Sequence, residues 1–396
     1  MLRNESMQSP ALTRPPLDAS PAFAQPMDVT TVITTVRHNI GDDFVREGLL
    51  FLLDSVDALR RVELVHKHSP VTATYGWESV RQLRWSRRIE PVLRTLHVRN
   101  RVGEADLLLQ SGAPVYWCHP GGPHCADNEW FDPLIRKRFL PDRRGRRFIS
   151  VAGGSCQRYG SDGSEIEQCP RCRAYIREFF DSCDLTLLRD DLARKMLNRA
   201  GRDADVLPCT SIFARDRMKI VPRKGEYIVL NFMESGGHYT FGQDIDAGRW
   251  RRQFVALARE AAKAGRVVIA CHTPGEEKLA GELLPDVERF LVPNEHVAFM
   301  EFYAGAAWGV MNRVHGAFMM ASLGKPAVVI GNDSRARMIE NLGLPSHYVE
   351  DVEEVGVTRL IDEARSRCAT YPEQIEAIRK DARTRYEGRI AAALSS

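Results

Sequence analysis

The chain has 396 residues, with 55 Lys and Arg against 52 Asp and Glu and a formal net charge of +3. That length exceeds one ordinary hydrophobic core, so two domains are expected, and so small a net charge argues against a dedicated nucleic-acid binder. Apolar residues make up 44% and charged residues 27%, a globular balance, and no apolar run is long enough for a membrane span. No apolar stretch follows the first charges, so no export signal is read and a cytoplasmic location is expected. The nine cysteines then read as reduced, which favours metal binding or plain burial over disulfides.

Residues 1–28 carry Pro10, Pro15, Pro16, Pro21 and Pro26 and read as a disordered arm. Val29–Val36 is β-branched and reads as the first strand. Asp42 is the expected cap of a helix running to about Arg60, with Phe44, Leu49, Leu52, Leu53 and Val56 inward. Asn39, Gly41 and Asp42 in the intervening turn would offer backbone donors at the sheet end, a substrate-binding position. Val62–His66 and Asp106–Leu109 follow as strands, and Gln110–Pro114, containing Gly112, reads as a turn at a sheet edge. Phe148–Ala152 and Leu185–Leu188 are the next strands, the latter ending in Arg189 before a helix. Alternating strands and helices over 29–207 predict a doubly wound parallel domain. Pro208, Pro222 and a charge run make 208–225 a linker. A second α/β series covers 226–370, with strands Tyr227–Phe232, Arg266–Cys271, Arg289–Val292, Trp308–Met311 and Ala327–Ile330. Residues 371–396 read as a helix packing back on the first domain. The fold expected is therefore α/β, with two doubly wound parallel-sheet domains facing a cleft.

The chain is organised around Asn312-Arg313-Val314-His315-Gly316, a turn between a short strand and a small-residue helix. Open α/β sheets bind ligands at such strand ends, and a helix N-terminus adds donors for an anion. Arg313 with His315 suits an anionic substrate that needs proton transfer, and Arg189 repeats the pattern in the first domain. An ordinary strand–helix turn is the competing reading. His272 and His238 also follow strands of the second series and are candidate substrate contacts, with Asn312 and Gly316.

Five cysteines form a separate group. Cys118, Cys125 and Cys156 should lie in loops after parallel strands, and Cys169 and Cys172 open the next helix on the same sheet edge. Four thiolates there, or three with a histidine, would make a structural zinc site, with ordinary reduced thiols the competing reading. Cys183 ends that helix about 16 Å away and is a poor ligand.

Taken together, these motifs resemble the polysaccharide pyruvyl transferases. The resemblance runs from about Val29 to Tyr348. It rests on Asn39-Ile40-Gly41-Asp42, on Asp106 to Gly112, on Leu188-Arg189-Asp190 with Leu197 and Gly201, and above all on Asn312 to Gly316 with Leu323-Gly324-Lys325-Pro326. Asp333-Ser334-Arg335 and Leu342-Gly343-Leu344 fit as well. It implies a two-domain fold similar to the GT-B glycosyltransferases. It also implies transfer of a pyruvyl group from phosphoenolpyruvate to hydroxyls of a saccharide or lipid-linked saccharide, forming a ketal. Arg189 and Arg313 match the donor-binding positions and His315 the proton-handling one; no cofactor is required for that chemistry, and a homodimer is an open option. The sequence departs from the pattern in the sparse glycines at 110–113, in Pro208-Cys209-Thr210-Ser211, and in insertions at 113–147 and 155–172. A nucleotide-sugar glycosyltransferase and a non-catalytic ligand-binding protein are the alternatives on the same architecture.

Overall fold

The computed structural model describes residues 27–34, 39–66, 74–76, 86–96, 98–118, 135–136, 139–143, 145–234 and 245–395. The arm up to residue 26, Cys125 and His238 lie outside them.

Six parallel strands form the first sheet: β1 (Met27–Thr34), β2 (Leu59–His66), β3 (Leu107–Tyr116), β4 (Arg147–Ser155), β5 (Leu185–Leu188) and β6 (Asp205–Val206). Their order is β2-β1-β3-β4-β5-β6. Helices α1 (Ile40–Ser55), α2 (Ser86–Thr95), α3 (Pro170–Asp181) and α4 (Asp191–Arg199) lie between them, and a short α5 (Ala214–Met218) follows. The second sheet is also parallel, with β7 (Tyr227–Leu230), β8 (Val267–Ala270), β9 (Glu288–Phe290), β10 (Ala306–Met311), β11 (Ala327–Gly331) and β12 (Ser346–Tyr348). Its order is β12-β11-β10-β7-β8-β9. Its helices are α6 (Ala247–Ala262), α7 (Pro274–Leu283), α8 (His296–Ala304), α9 (Val314–Ser322), α10 (Val352–Val355) and α11 (Val357–Arg365), and α12 (Tyr371–Ser395) closes the chain. The two parallel-sheet domains expected from the sequence are thus present. Among the described residues no helix is long and apolar enough to cross a membrane.

Strand order fixes where a ligand can sit. The winding direction reverses between β1 and β3 in the first sheet and between β7 and β10 in the second. Crevices open at such reversals, outside the carboxyl ends of the strands. The α1 N-terminus stands at the first reversal and the Arg313–His315 turn at the second.

Several local expectations are corrected. Gln110–Pro114 is not a turn at a sheet edge but the middle of β3, between β1 and β4. The apolar pattern continues through Val115 and Tyr116, and the turn-forming residues distort the strand instead of ending it. Gly112 takes φ +32°, and pairing with β4 slips between Pro114 and Tyr116, where a missing N–H is tolerated. Asn39, not Asp42, caps α1: its Oδ1 accepts from the Gly41 N–H at 3.1 Å. Residues 334–342 form a 3-10 run capped by Asp333. Strands β6 and β12 are too short, at two and three residues, to show a period in the sequence.

The domains share one core. Phe44, Leu49, Leu52 and Leu53 on α1 are fully buried and continuous with Phe318 and Met319 of α9 and with Tyr386 and Ile390 of α12. The long helix α12 returns to the first domain's side, where Tyr386 Oη donates to the Pro208 carbonyl at 2.8 Å and Arg379 Nε to that of Ile212 at 3.1 Å.

Candidate active site between the domains

Three strands of the second sheet end in buried asparagines. Asn231 follows β7, Asn312 follows β10 and Asn332 lies just past β11. The Asn312 amide is taken up by the scaffold: its Oδ1 accepts from the Met233 N–H at 2.9 Å, and its Nδ2 donates to the Ile330 carbonyl at 2.6 Å and to Asn332 Oδ1 at 2.5 Å. Asn231 accepts from the Arg313 N–H at 2.7 Å and donates to the Ala270 carbonyl at 2.7 Å. These bonds lock the start of α9 to its sheet, so Arg313 and His315 emerge from a rigid turn. Asn312, read as a substrate contact, is placed as a positioning residue.

Arg313 is not an open cation. Its Nε donates to Glu276 Oε1 at 2.8 Å and its Nη2 reaches the same oxygen, while Glu276 Oε2 accepts from the His272 N–H at 2.8 Å. The His272 ring lies against Phe299, and its Nε2 meets Tyr303 Oη at 2.6 Å. Burial, then the charge of Arg313, pushes the His272 pKa down to about 3, so the ring is neutral near pH 7. Gly316 admits this arrangement: a Cβ there would come within 2.9 Å of Tyr303 Oη and 2.6 Å of Met311 Cε.

Arg189 and His315 meet from opposite domains, with Arg189 Nη1 3.4 Å from His315 Nε2. Arginine only donates, so Nε2 is the acceptor and the imidazole proton sits on Nδ1. The His315 pKa lies well below the ordinary value, through burial first and then the charges of Arg189 and Arg335 and the neighbouring His272 and Arg313. The group expected from the sequence to handle protons is therefore a neutral base, held so by burial first and then by its cationic surroundings. Gly41 at the α1 N-terminus closes the other side of the ring: a Cβ there would lie 2.7 Å from His315 Nδ1.

Arg189 itself is only 2% exposed. Among the described residues it forms no ion pair with a carboxylate, and its Nε has no hydrogen-bond partner. Burying a guanidinium with no counter-charge among the described residues is costly. The backbone makes room for it: a side chain at Gly154 would overlap Arg189 Nε and come within 2.7 Å of Asp190 Oδ2. Asp190 is engaged as the α4 cap, accepting from the Ala193 N–H at 2.7 Å and from Ser155 Oγ at 2.7 Å.

Arg335 completes the cationic rim, with Nε 2.9 Å from Asp333 Oδ1 and with Asp42 in its electrostatic surroundings. Cys156 belongs here and not with the other cysteines. It is buried, and its thiol pKa is pushed up by desolvation and then Asp333, against the charges of Arg335 and Arg189. Cys118, Cys169 and Cys172 do come together elsewhere in the first domain. Gly112 lies within β3, where a side chain would overlap Val45 on α1.

Sequence reasoning gave no site role to Glu276 and Tyr303, and took Arg335 only as part of a motif. Thr273-x-x-Glu276 spells a capping box, and Thr273 does cap α7, accepting from the Glu276 N–H at 3.2 Å. The Glu276 carboxylate, however, serves the His272 amide and Arg313. Nothing local in the sequence announces that redirection.

No family model and no curated protein matches the chain. Solved structures do. A UDP-bound structure of Staphylococcus aureus MnaA superposes with TM-score 0.50 at 14% identity, over 89% of this chain and 95% of its own. A Listeria monocytogenes protein assigned as a UDP-N-acetylglucosamine 2-epimerase gives 0.50 at 12%, over 87% and 91%. The Neisseria meningitidis UDP-GlcNAc 2-epimerase bound to UDP-GlcNAc gives 0.49 at 13%, over 93% and 99%. At such identities the likeness establishes the fold, which is GT-B-like.

Proposed function

We propose that this protein is an enzyme that acts on a saccharide, using a phosphate-bearing donor bound at the seam between the two domains. The observation that carries this is Arg189, a buried guanidinium with no carboxylate partner among the described residues, in contact with the neutral base His315 of the opposite domain. An anion entering there would compensate the Arg189 charge and offset the cationic part of what holds His315 neutral, so binding would prepare the ring to take a proton.

The finer reading is pyruvyl transfer from phosphoenolpyruvate, which carries a carboxylate and a phosphate for Arg189 and the Arg313–Arg335 rim. Forming the ketal joins two acceptor oxygens to C2 and breaks the bond from C2 to the phosphate oxygen. One hydroxyl proton ends on C3, and the other leaves with phosphate. His315 would receive a hydroxyl proton as each oxygen attacks, and Arg189 would stabilise the departing phosphate. A second reading, a nucleotide-sugar enzyme, is favoured by the fold likeness to the UDP-bound S. aureus structure. The cationic seam suits a diphosphate as well.

Calorimetric titration with phosphoenolpyruvate, UDP and UDP-N-acetylglucosamine, for wild type and Arg189→Met, separates these readings. Saturable phosphoenolpyruvate binding lost in the variant supports pyruvyl transfer. Binding of UDP but not phosphoenolpyruvate replaces it with the nucleotide-sugar reading. No binding of any of them, or binding unchanged in the variant, removes the donor site from this seam.

A further inference from the structure

Away from that seam, the first domain brings three cysteines together. Cys118 follows β3, Cys169 is the N-cap of α3 and Cys172 lies in its first turn. All three are buried, and their sulfurs lie within 4.8 Å of one another. Tetrahedral zinc with Zn–S bonds of about 2.3 Å holds its sulfurs about 3.8 Å apart, so a contraction of about 1 Å would close the trio around an ion. A disulfide would use two of the sulfurs and strand the third in the core, whereas one metal ion uses all three. The Cys118 thiol points at the Glu165 carbonyl at 3.7 Å, a contact too weak to compete with a metal–sulfur bond.

The trio is wired to the domain seam. The Gln157 side chain grips the Cys118 backbone at both ends, accepting from its N–H at 2.8 Å and donating to its carbonyl at 2.7 Å. The Gln157 main chain in turn grips Ser334 of the second domain: its N–H donates to Ser334 Oγ at 2.9 Å, and its carbonyl accepts from the Ser334 N–H at 3.0 Å. We infer that Cys118, Cys169 and Cys172 bind a thiophilic divalent ion of the zinc class, and that this ion braces the Gln157–Ser334 latch between the domains. Three thiol protons leave to solvent on binding, and a ligand from outside the trio completes the tetrahedron.

The test is the metal content of the full-length protein purified without chelator, by plasma mass spectrometry. It is made for wild type, Cys118→Ser, Cys172→Ser and the control Cys271→Ser, whose thiol lies in the second domain. About one zinc per chain is expected in wild type and the control, and at least a tenfold loss in the other two. Should those variants fail to fold, wild type is stripped with a chelator and refilled with cobalt(II). A thiolate-to-cobalt charge-transfer band and slower hydrogen exchange at the Ser334 amide are then expected. Zinc-free wild type that gives no such band on refilling, zinc retained in both serine variants, or the loss of two titratable thiols to a disulfide would each overturn the site. An unchanged Ser334 amide would overturn the bracing role.

Discussion

Glu276 holds two functional elements at once: one carboxylate oxygen takes the Arg313 guanidinium, and the other takes the His272 amide. The Glu276 side chain is 7% exposed and that of Arg313 29%, so the carboxylate is largely desolvated and the guanidinium partly so. Glu276→Gln keeps an acceptor for the His272 amide but removes the counter-charge of Arg313. Breaking a buried pair on one side leaves an uncompensated charge, so a stability loss of about 1–3 kcal/mol is expected by urea unfolding. Anion affinity at the seam should hold or rise, because Arg313 is no longer neutralised. A variant as stable as wild type would show that the pair contributes nothing.

Arg189 should behave in the opposite sense. Its guanidinium is buried, with no carboxylate among the described residues to compensate it. Arg189→Met replaces a desolvated charge with an apolar chain of similar length, so unfolding free energy should stay level or increase while anion binding is lost. A residue that stabilises the fold cannot show that combination. A drop of more than about 2 kcal/mol would make Arg189 a structural group and not a binding one.

The parts of this molecule that were legible in the sequence are those written in local pattern. Ala327–Ile330 reads as a buried strand because all of its residues are apolar, and Phe44 to Leu53 as a helix because their apolar spacing is helical. The Arg313–His315 turn shows in its strand–turn–helix context. What stayed hidden depends on contacts between distant residues. Gly112 and Pro114 carry turn chemistry, yet lie within a strand whose neighbours hold it in the sheet. The low pKa of His315 comes from its burial first and then from Arg189, Arg335 and His272, on elements far apart in the chain. Cys156 reads in the sequence as one of the cysteine group, yet it lies beside Arg335 and Asp333.

The buried histidines set a direction for pH dependence. Unfolded histidines take up protons below a pKa of about 6.5, whereas folded His272 stays neutral down to about 3. The unfolded state therefore binds more protons in that window, and stability rises with pH. Stability should be complete above about pH 6.5 and fall steadily as the pH drops toward 3, with His315 adding in the same sense. Scanning calorimetry between about pH 7.5 and 5 should show a falling Tm, less steeply in His272→Gln, which keeps a partner for Tyr303. A Tm equally steep in that variant would remove His272 as a source. An anion at the seam should raise the His315 pKa, so titrations at about pH 6 in two buffers of different ionisation enthalpy should reveal proton uptake on binding.

Two glycines on α1 separate fold from function. A Cβ at Gly48 would overlap the Thr210 carbonyl, and Thr210 is anchored in turn by Oγ1 donating to the Val45 carbonyl at 2.9 Å. Backbone meets backbone there and neither can yield, so Gly48→Ala should cost several kcal/mol, on the order of 3, and lower Tm sharply. The three atoms nearest a Cβ at Gly41 all belong to the His315 side chain, Nδ1 at 2.7 Å and Cβ and Cγ at 3.2 Å. A ring can rotate, so Gly41→Ala should cost less than about 1 kcal/mol of stability while moving the imidazole off Arg189. Turnover with the donor that binds should fall at least tenfold in Gly41→Ala with donor affinity nearly kept, because Arg189 is untouched. Urea unfolding and steady-state kinetics on the two variants check this. Full turnover in Gly41→Ala would mean that the orientation of His315 does not matter to the chemistry.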